Sequence, residues 1–430
     1  MRPARLSRWL PALLLLFALP AGAAEWLIEP KISLRGGYND NIRLDNLSED
    51  AVWEKAITPS VRFGVAKEDR GLFGKAYASV RRFSGGSGRN SSDQLDREDY
   101  HFDTDAYYGT ERNRFSGLIN YTQDSTLDSE LDQTGQVIPS RATRERFTLG
   151  PRWVHTLNET TQLDTSYNFT TVSYADKEDF QRLIEYDYHQ LSAALVHQLT
   201  PQLQGTLSTA YSSYQPDSNF DSDTVNIQVG ISRSFSETLS TSWLAGYRET
   251  TSDTRIAVTT GFCVGALPGA KFPSCTGGTA VPTGTRTAKD DDTSSGSVFS
   301  ASITKLLEKG QLSANLSRSS NPSSDGELLD TTRLILAGDY KFSEKLRSSL
   351  SIEYSNAETI SRVTNTLRKT DEDIFRVRPK IYWKWSQQWQ LAAEYEYTER
   401  EDKDRFSGSA TRNAFYLTLS YQQPKISISR

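Results

Sequence analysis

Arg376, Arg378, Lys380 and Lys384 stand at even spacings along one short run, with Phe375, Val377, Ile381 and Trp383 between and beside them. Residues two apart in an extended strand share a face, so the four cations form a ladder opposite an apolar face. Such a ladder does electrostatic chemistry. It draws anions, as Arg/Lys rings do in pores, or it braces a wall by pairing with carboxylates. Covalent chemistry has no comparable signal. GxSxG, HExxH and P-loop patterns are absent, and the four histidines, His101, His155, His189 and His197, are scattered. Each histidine reads as a polar lumen or interface residue. The chain is therefore expected to be no enzyme and to need no metal or other cofactor.

The same parity extends the charged face to other runs. It gathers the bases Arg35, Arg62, Lys75, Arg81, Arg146, Arg152, Arg333, Lys341 and Arg347. It gathers the acids Asp103, Asp105, Asp164, Asp339, Glu353, Glu394 and Glu396. Bases outnumber acids on this face. Glu394 and Glu396 face the ladder from one neighbouring strand, Arg347 and Glu353 from the other.

What must position these residues is a set of strands. A turn phrase recurs six times, anchored at Leu157, Leu199, Phe235, Leu307, Phe342 and Trp385, with spacings of 42, 36, 72, 35 and 43 residues. The 72 is two periods of 36. Between anchors the pattern alternates strictly, as in Val225, Ile227, Val229 and Ile231. Alternating segments of about 10 residues separated by turn residues are the signature of a membrane barrel. Turn chemistry divides the chain into about 18 strands, with 16 as the alternative. Short turns follow the even strands, and longer polar connections follow the odd ones. The expected fold is all-β: a closed antiparallel transmembrane barrel with short periplasmic turns, long extracellular loops and both termini in the periplasm. Closure follows because lipid cannot satisfy an open sheet edge. Trp153, Phe235, Trp243, Phe342, Trp383, Trp385 and Trp389 bunch beside the short turns, where an aromatic girdle belongs.

Composition agrees. Hydrophobic residues make up 36% of the 430 residues and charged residues 24%, against roughly 45–50% apolar in soluble globular chains. A wet lumen explains the deficit, since only alternate residues need be apolar. Twenty Tyr, 18 Phe and 8 Trp exclude disorder. Net charge is only −5 and no basic tract suggests nucleic acid. Arg2, Arg5 and Arg8, an apolar "LLLLFAL" and Ala21-Gly22-Ala23 make residues 1–23 a secretory signal. Residues 24–430 are then the barrel. Cys263 and Cys275 lie in the Gly/Pro/Thr-rich stretch 255–290, read as a long extracellular loop. In an exported protein such a pair is expected to form a disulfide, worth about 3 kcal/mol by loop closure. The acidic connections, such as 45–50 and 399–405, read as solvated charge or as cation-bridged contacts to anionic lipopolysaccharide or polysaccharide. Residues 422–430 read as a short periplasmic tail.

"LRGGYNDNIRL" (Leu34–Leu44), "AITPSVRF" (Ala56–Phe63) and the ending "FYLTLSYQQPKISISR" resemble the outer-membrane β-barrel porins found beside exopolysaccharide gene clusters. The resemblance implies residence in the outer membrane of a Gram-negative bacterium, in contact with its lipid and lipopolysaccharide. It also implies a periplasmic polysaccharide-export partner. Two functions follow as expectations. One is a porin-like conduit, for exopolysaccharide export or for anionic solutes. The other is a non-conducting structural or adhesin barrel plugged by inward-folded loops, with 255–290 as the candidate plug.

Overall fold

The computed structural model describes residues 25–46, 50–138, 141–176, 183–218, 220–264, 274, 279–360, 371–403 and 408–429, with backbone alone at 89, 255–262, 280, 283–290 and 428–429. The proposed signal segment lies outside the described residues. Eighteen strands make the wall: β1 (Glu25–Asn39), β2 (Val52–Ala66), β3 (Arg70–Gly85), β4 (Arg97–Gly109), β5 (Asn113–Ser125), β6 (Thr143–Asn158), β7 (Thr161–Ala175), β8 (Tyr186–Thr200) and β9 (Leu203–Pro216), then β10 (Phe220–Ser236), β11 (Leu239–Val264), β12 (Thr279–Leu307), β13 (Gly310–Pro322), β14 (Leu328–Lys341), β15 (Leu346–Thr359), β16 (Asp371–Lys384), β17 (Trp389–Asp402) and β18 (Gly408–Gln422). Each strand pairs antiparallel with its sequence neighbours. β1 also pairs with β18, from Lys31 opposite Gln422 to Asn39 opposite Ala414. The sheet is thus a closed 18-strand barrel, as the strand pattern predicts.

The alternation becomes the two faces of this wall. Ile227 and Val229 point outward and are 57% and 62% exposed. The largest fully buried side chains include Arg144 and Arg248, at 1% and 2%. Apolar side chains outside and arginines inside reverse the order of a soluble protein. They match a wall that meets hydrocarbon outside and polar groups within. All seven aromatics expected beside the short turns are exposed on the outer surface. His155 joins that rim, its ring 5.4 Å from that of Trp153. Among the described residues no helix is long and apolar enough to cross a membrane.

Three features depart from the sequence reading. First, β11 and β12 run far past their neighbours, pairing from Leu239 opposite Lys305 to Val264 opposite Thr279. The backbone of 255–264 and 279–290 therefore lengthens the wall and does not plug the barrel. Beyond the membrane both faces of a hairpin meet water, so no apolar alternation marks the strands. Second, part of the expected tail 422–430 is strand: β19 (Ile426–Ser429) returns to pair with Glu25–Ile28 of β1. Third, one eight-residue helix, Thr126–Gln133, leaves the β5–β6 connection and enters the barrel.

Candidate functional site

The inner helix is built by local signals. Ser125 caps its start, with the side-chain hydroxyl accepting from the Leu127 N–H. Asp128 sits in the first turn, where negative charge suits the helix N-terminus. The helix stops at Gly135, whose φ of +75° is the left-handed conformation that glycine adopts freely. Eight residues cannot hold a helix alone, so docking must.

Leu127 and Leu131, four residues apart, anchor one face. Leu127 packs with Ile42, Val52, Phe83 and Leu95. Leu131 packs with Leu44, Val137, Ile374 and Ala410. The three carboxylates then reach three groups of arginines. Asp128 pairs with Arg97 and, at 3.4 Å, with Arg81. Glu130 lies 3.0 Å from Arg144 and accepts from the Tyr174 hydroxyl. Asp132 pairs with Arg376. Arg333 donates to the carbonyls of Leu131 and Asp132, and the Thr331 hydroxyl donates to the Thr134 carbonyl. Arg333 and Thr331 belong to β14, nine strands round the ring from β5. The segment therefore spans the lumen and docks on the opposite wall. The Val137 N–H, donating to Glu372 at 3.0 Å, ends the crossing.

Where the helix crosses, a cavity of about 210 Å³ remains. Six arginines line it: Arg35, Arg81, Arg97, Arg376, Arg378 and Arg412. So do five acids: Glu54, Asp128, Asp132, Glu394 and Glu396. Every one of these arginines has a carboxylate within 4.0 Å. Burial favours the neutral form of the Asp128 carboxyl. Arg97, Arg81, Arg412 and Arg35 outweigh that and hold it below the usual carboxylate range. Seven guanidinium nitrogens of these arginines make no hydrogen bond among the described residues. Arg376 Nη2 and Arg97 Nη1 are buried without a hydrogen-bond partner among the described residues.

The structure puts the ladder of β16 on the inner face, with individual partners. Arg376 is 3% exposed and, besides Asp132, faces Glu353 at 4.0 Å. Arg378 reaches Glu353 at 3.7 Å, and Lys380 reaches Glu394 at 2.9 Å. Glu396 instead pairs with Arg412 on β18, a base absent from the sequence-derived set. Arg333 lies 3.0 Å from Glu353, and Arg347 lies 3.3 Å from Asp339. Arg152 pairs with Asp164, away from the constriction, and Arg146 donates to Gln133 at the end of the inner helix. Lys384 has no ion-pair partner among the described residues. Neither do Lys31, Arg62 and Lys75, on the adjacent strands β1 to β3. Arg62 stands opposite Lys75 in register. Cys263 is disulfide-bonded; Cys275 lies outside the described residues.

Sequence reasoning missed Arg97, Arg144, Arg248, Arg412 and the whole inner helix. The available signal was Ser125-Thr126-Leu127-Asp128, a capping-box spacing, followed by Leu131 four residues after Leu127 and by Gly135. No group of three or more His, Cys, Asp or Glu suited to a metal occurs among the described residues.

Fold and site together define a transmembrane β-barrel whose lumen is narrowed by an inner helix and a ring of ion-paired arginines. No protein-family model matches the sequence, and no curated protein matches it either. Among solved structures the chain is similar to OccAB1 of Acinetobacter baumannii, at 8% identity and a TM-score of 0.45, covering 93% of this chain and 97% of that one. It is also similar to the outer membrane protein OpdK of Pseudomonas aeruginosa, at 9% identity and a TM-score of 0.41, covering 93% and 99%. OpdQ of Pseudomonas aeruginosa is a third, at 10% identity and a TM-score of 0.42, covering 93% and 97%.

Proposed function

We propose that this barrel is a porin-like channel of a Gram-negative outer membrane that passes small anionic solutes through the constriction at the inner helix. The observation that carries the proposal is the ring of six arginines around the cavity, in which guanidinium donors such as Arg376 Nη2 and Arg97 Nη1 are buried without a hydrogen-bond partner among the described residues. A buried donor left unmade costs about 1–3 kcal/mol, and a passing carboxylate or phosphate oxygen can satisfy it. The field comes from elsewhere. At the constriction six bases face five acids, so the cavity is nearly neutral. Lys31, Arg62 and Lys75, which have no ion-pair partner among the described residues, supply positive potential towards the short-turn end. In this reading the short turns and both termini are periplasmic.

A polysaccharide conduit is the less favoured reading. A cavity of about 210 Å³ suits a small solute, and a polymer would require the inner helix to leave. A non-conducting barrel is favoured by one specific observation, the docking of that helix on the far wall. Planar bilayer recordings decide between these readings. The channel reading expects discrete conductance and anion preference in a salt gradient. It expects the preference to vanish or reverse in the double variant Arg62→Glu with Lys75→Glu, which changes the field without breaking an ion pair. Cation preference in the wild type rejects the anionic route. Absence of conductance supports the plugged barrel.

A further inference from the structure

The outer wall carries a second site, built from the register of β2, β3 and β4. Outward positions on β3 are small where they cross mid-wall: Ala78 and Ala76. Opposite them on β2 stand Pro59 and Val61, and on β4 stand Tyr100 and Phe102. The small residues form the floor of a trough, and their larger neighbours form its sides. The resulting groove has a volume of about 510 Å³ and opens to the membrane.

At the long-connection end of this trough, Lys55 stands directly opposite Arg82, both outward. Like charges paired across strands repel and destabilise the sheet. Arg82 is 50% exposed and partly compensated, by Asp96 at 3.6 Å and Glu98 at 3.4 Å. Both acids have other commitments. Asp96 accepts from the Phe83 N–H, and Glu98 accepts from the Tyr100 hydroxyl. Lys55 is exposed and has no ion-pair partner among the described residues. Trp53, two residues before Lys55 and 5.1 Å from Tyr38 ring to ring, marks this level as the membrane interface.

We propose that this groove seats one acyl chain of a lipopolysaccharide molecule, with a phosphate of its lipid anchor bridging Lys55 and Arg82. The commitment to lipopolysaccharide rests on the outer-membrane reading above, in which the long connections face outward. The argument for the occupant is charge complementarity at the end of an apolar trough. One doubly anionic group relieves the Lys55–Arg82 repulsion, and its attached chain fills a groove that lines up with the strands.

The test is independent of conduction. Fluorescent lipopolysaccharide is titrated into the detergent-purified barrel, alongside phosphatase-treated lipopolysaccharide, for the wild type, Lys55→Ala and Ala78→Trp. Loss of one charge-assisted contact weakens binding roughly tenfold, so Lys55→Ala should bind intact ligand about tenfold more weakly than the wild type, and the wild type should bind dephosphorylated ligand, which loses the Arg82 contact as well, more weakly still. Ala78→Trp, which fills the trough, should weaken both ligands. Heat-modifiable mobility on gels verifies that each variant is folded. Unchanged binding in both folded variants overturns the proposal. So does equal affinity of the wild type for intact and dephosphorylated lipopolysaccharide. A change of oligomeric state in Ala78→Trp, by analytical ultracentrifugation, assigns the groove to contact between copies and likewise overturns it. Anion selectivity in bilayers should be the same in Lys55→Ala and the wild type, so failure here leaves the channel reading standing.

Discussion

Replacing Leu131 by alanine should loosen the inner helix without touching the wall. Leu131 is 4% exposed, in a cluster with Leu44, Val137, Ile374 and Ala410. Large-to-small replacements in cores cost about 2–5 kcal/mol. The low end applies, because the cluster is small and the lumen beside it is wet. A loss of about 2 kcal/mol raises the undocked fraction roughly thirtyfold, at 1.4 kcal/mol per factor of ten. The ion pair of Asp132 with Arg376 and the Arg333 donations to the Leu131 and Asp132 carbonyls remain to guide redocking. The variant should therefore flicker, not stay open. Single-channel recording should show frequent brief steps to a larger conductance. Hydrogen exchange should show faster exchange at 126–137 and unchanged protection in β5 and β6. A variant with the conductance trace of the wild type and unchanged exchange at 126–137 would refute the view that apolar docking holds this segment across the lumen.

Three further outcomes are expected. Val229→Arg puts a cation on the outer face near mid-wall, so stability in urea from lipid vesicles should fall by about 2–4 kcal/mol; a neutral effect would mean the face assignment of β10 is wrong. Mass spectrometry of folded, non-reduced protein treated with a thiol-blocking reagent should find no blocked cysteine, and two blocked thiols would exclude a disulfide between Cys263 and Cys275. For Asp128, whose docked carboxyl is held below the ordinary value near pH 4, the tether is fully present above that value and is lost as pH falls through the lower docked value. Asp128→Asn should therefore raise opening frequency by a constant factor from about pH 5 to 8, and a factor that grows across that window would place its carboxyl above the usual range.

The wall was legible in the sequence because hydrocarbon imposes a strict rule on every second residue. Val225, Ile227, Val229 and Ile231 declare a face, and the face of Arg376, Arg378 and Lys380 follows from Phe375, Val377 and Ile381. Hairpin partners were legible in part. Lys380 meets Glu394 across one short turn, as the facing of the ladder by its neighbouring strand implies. Glu396, from the same strand, turns the other way to Arg412, because parity fixes a face and leaves the choice of partner to side-chain reach. The lumen's contents were not legible. Thr126–Gln133 is polar and short, and it lies in a connection where no solvent boundary enforces a period. Its docking includes Asp132 meeting Arg376, which is 244 residues away. That contact exists only because closing 18 strands brings β16 across the lumen from β5. A ring closure is a global condition, and no local spacing records it. The same condition explains why the expected positive field is muted at the constriction. The inner helix carries Asp128, Glu130 and Asp132 to the arginines that the wall would otherwise present bare. On the channel reading proposed above, selectivity is then set by where this one segment rests, as well as by the charges of the strands around it.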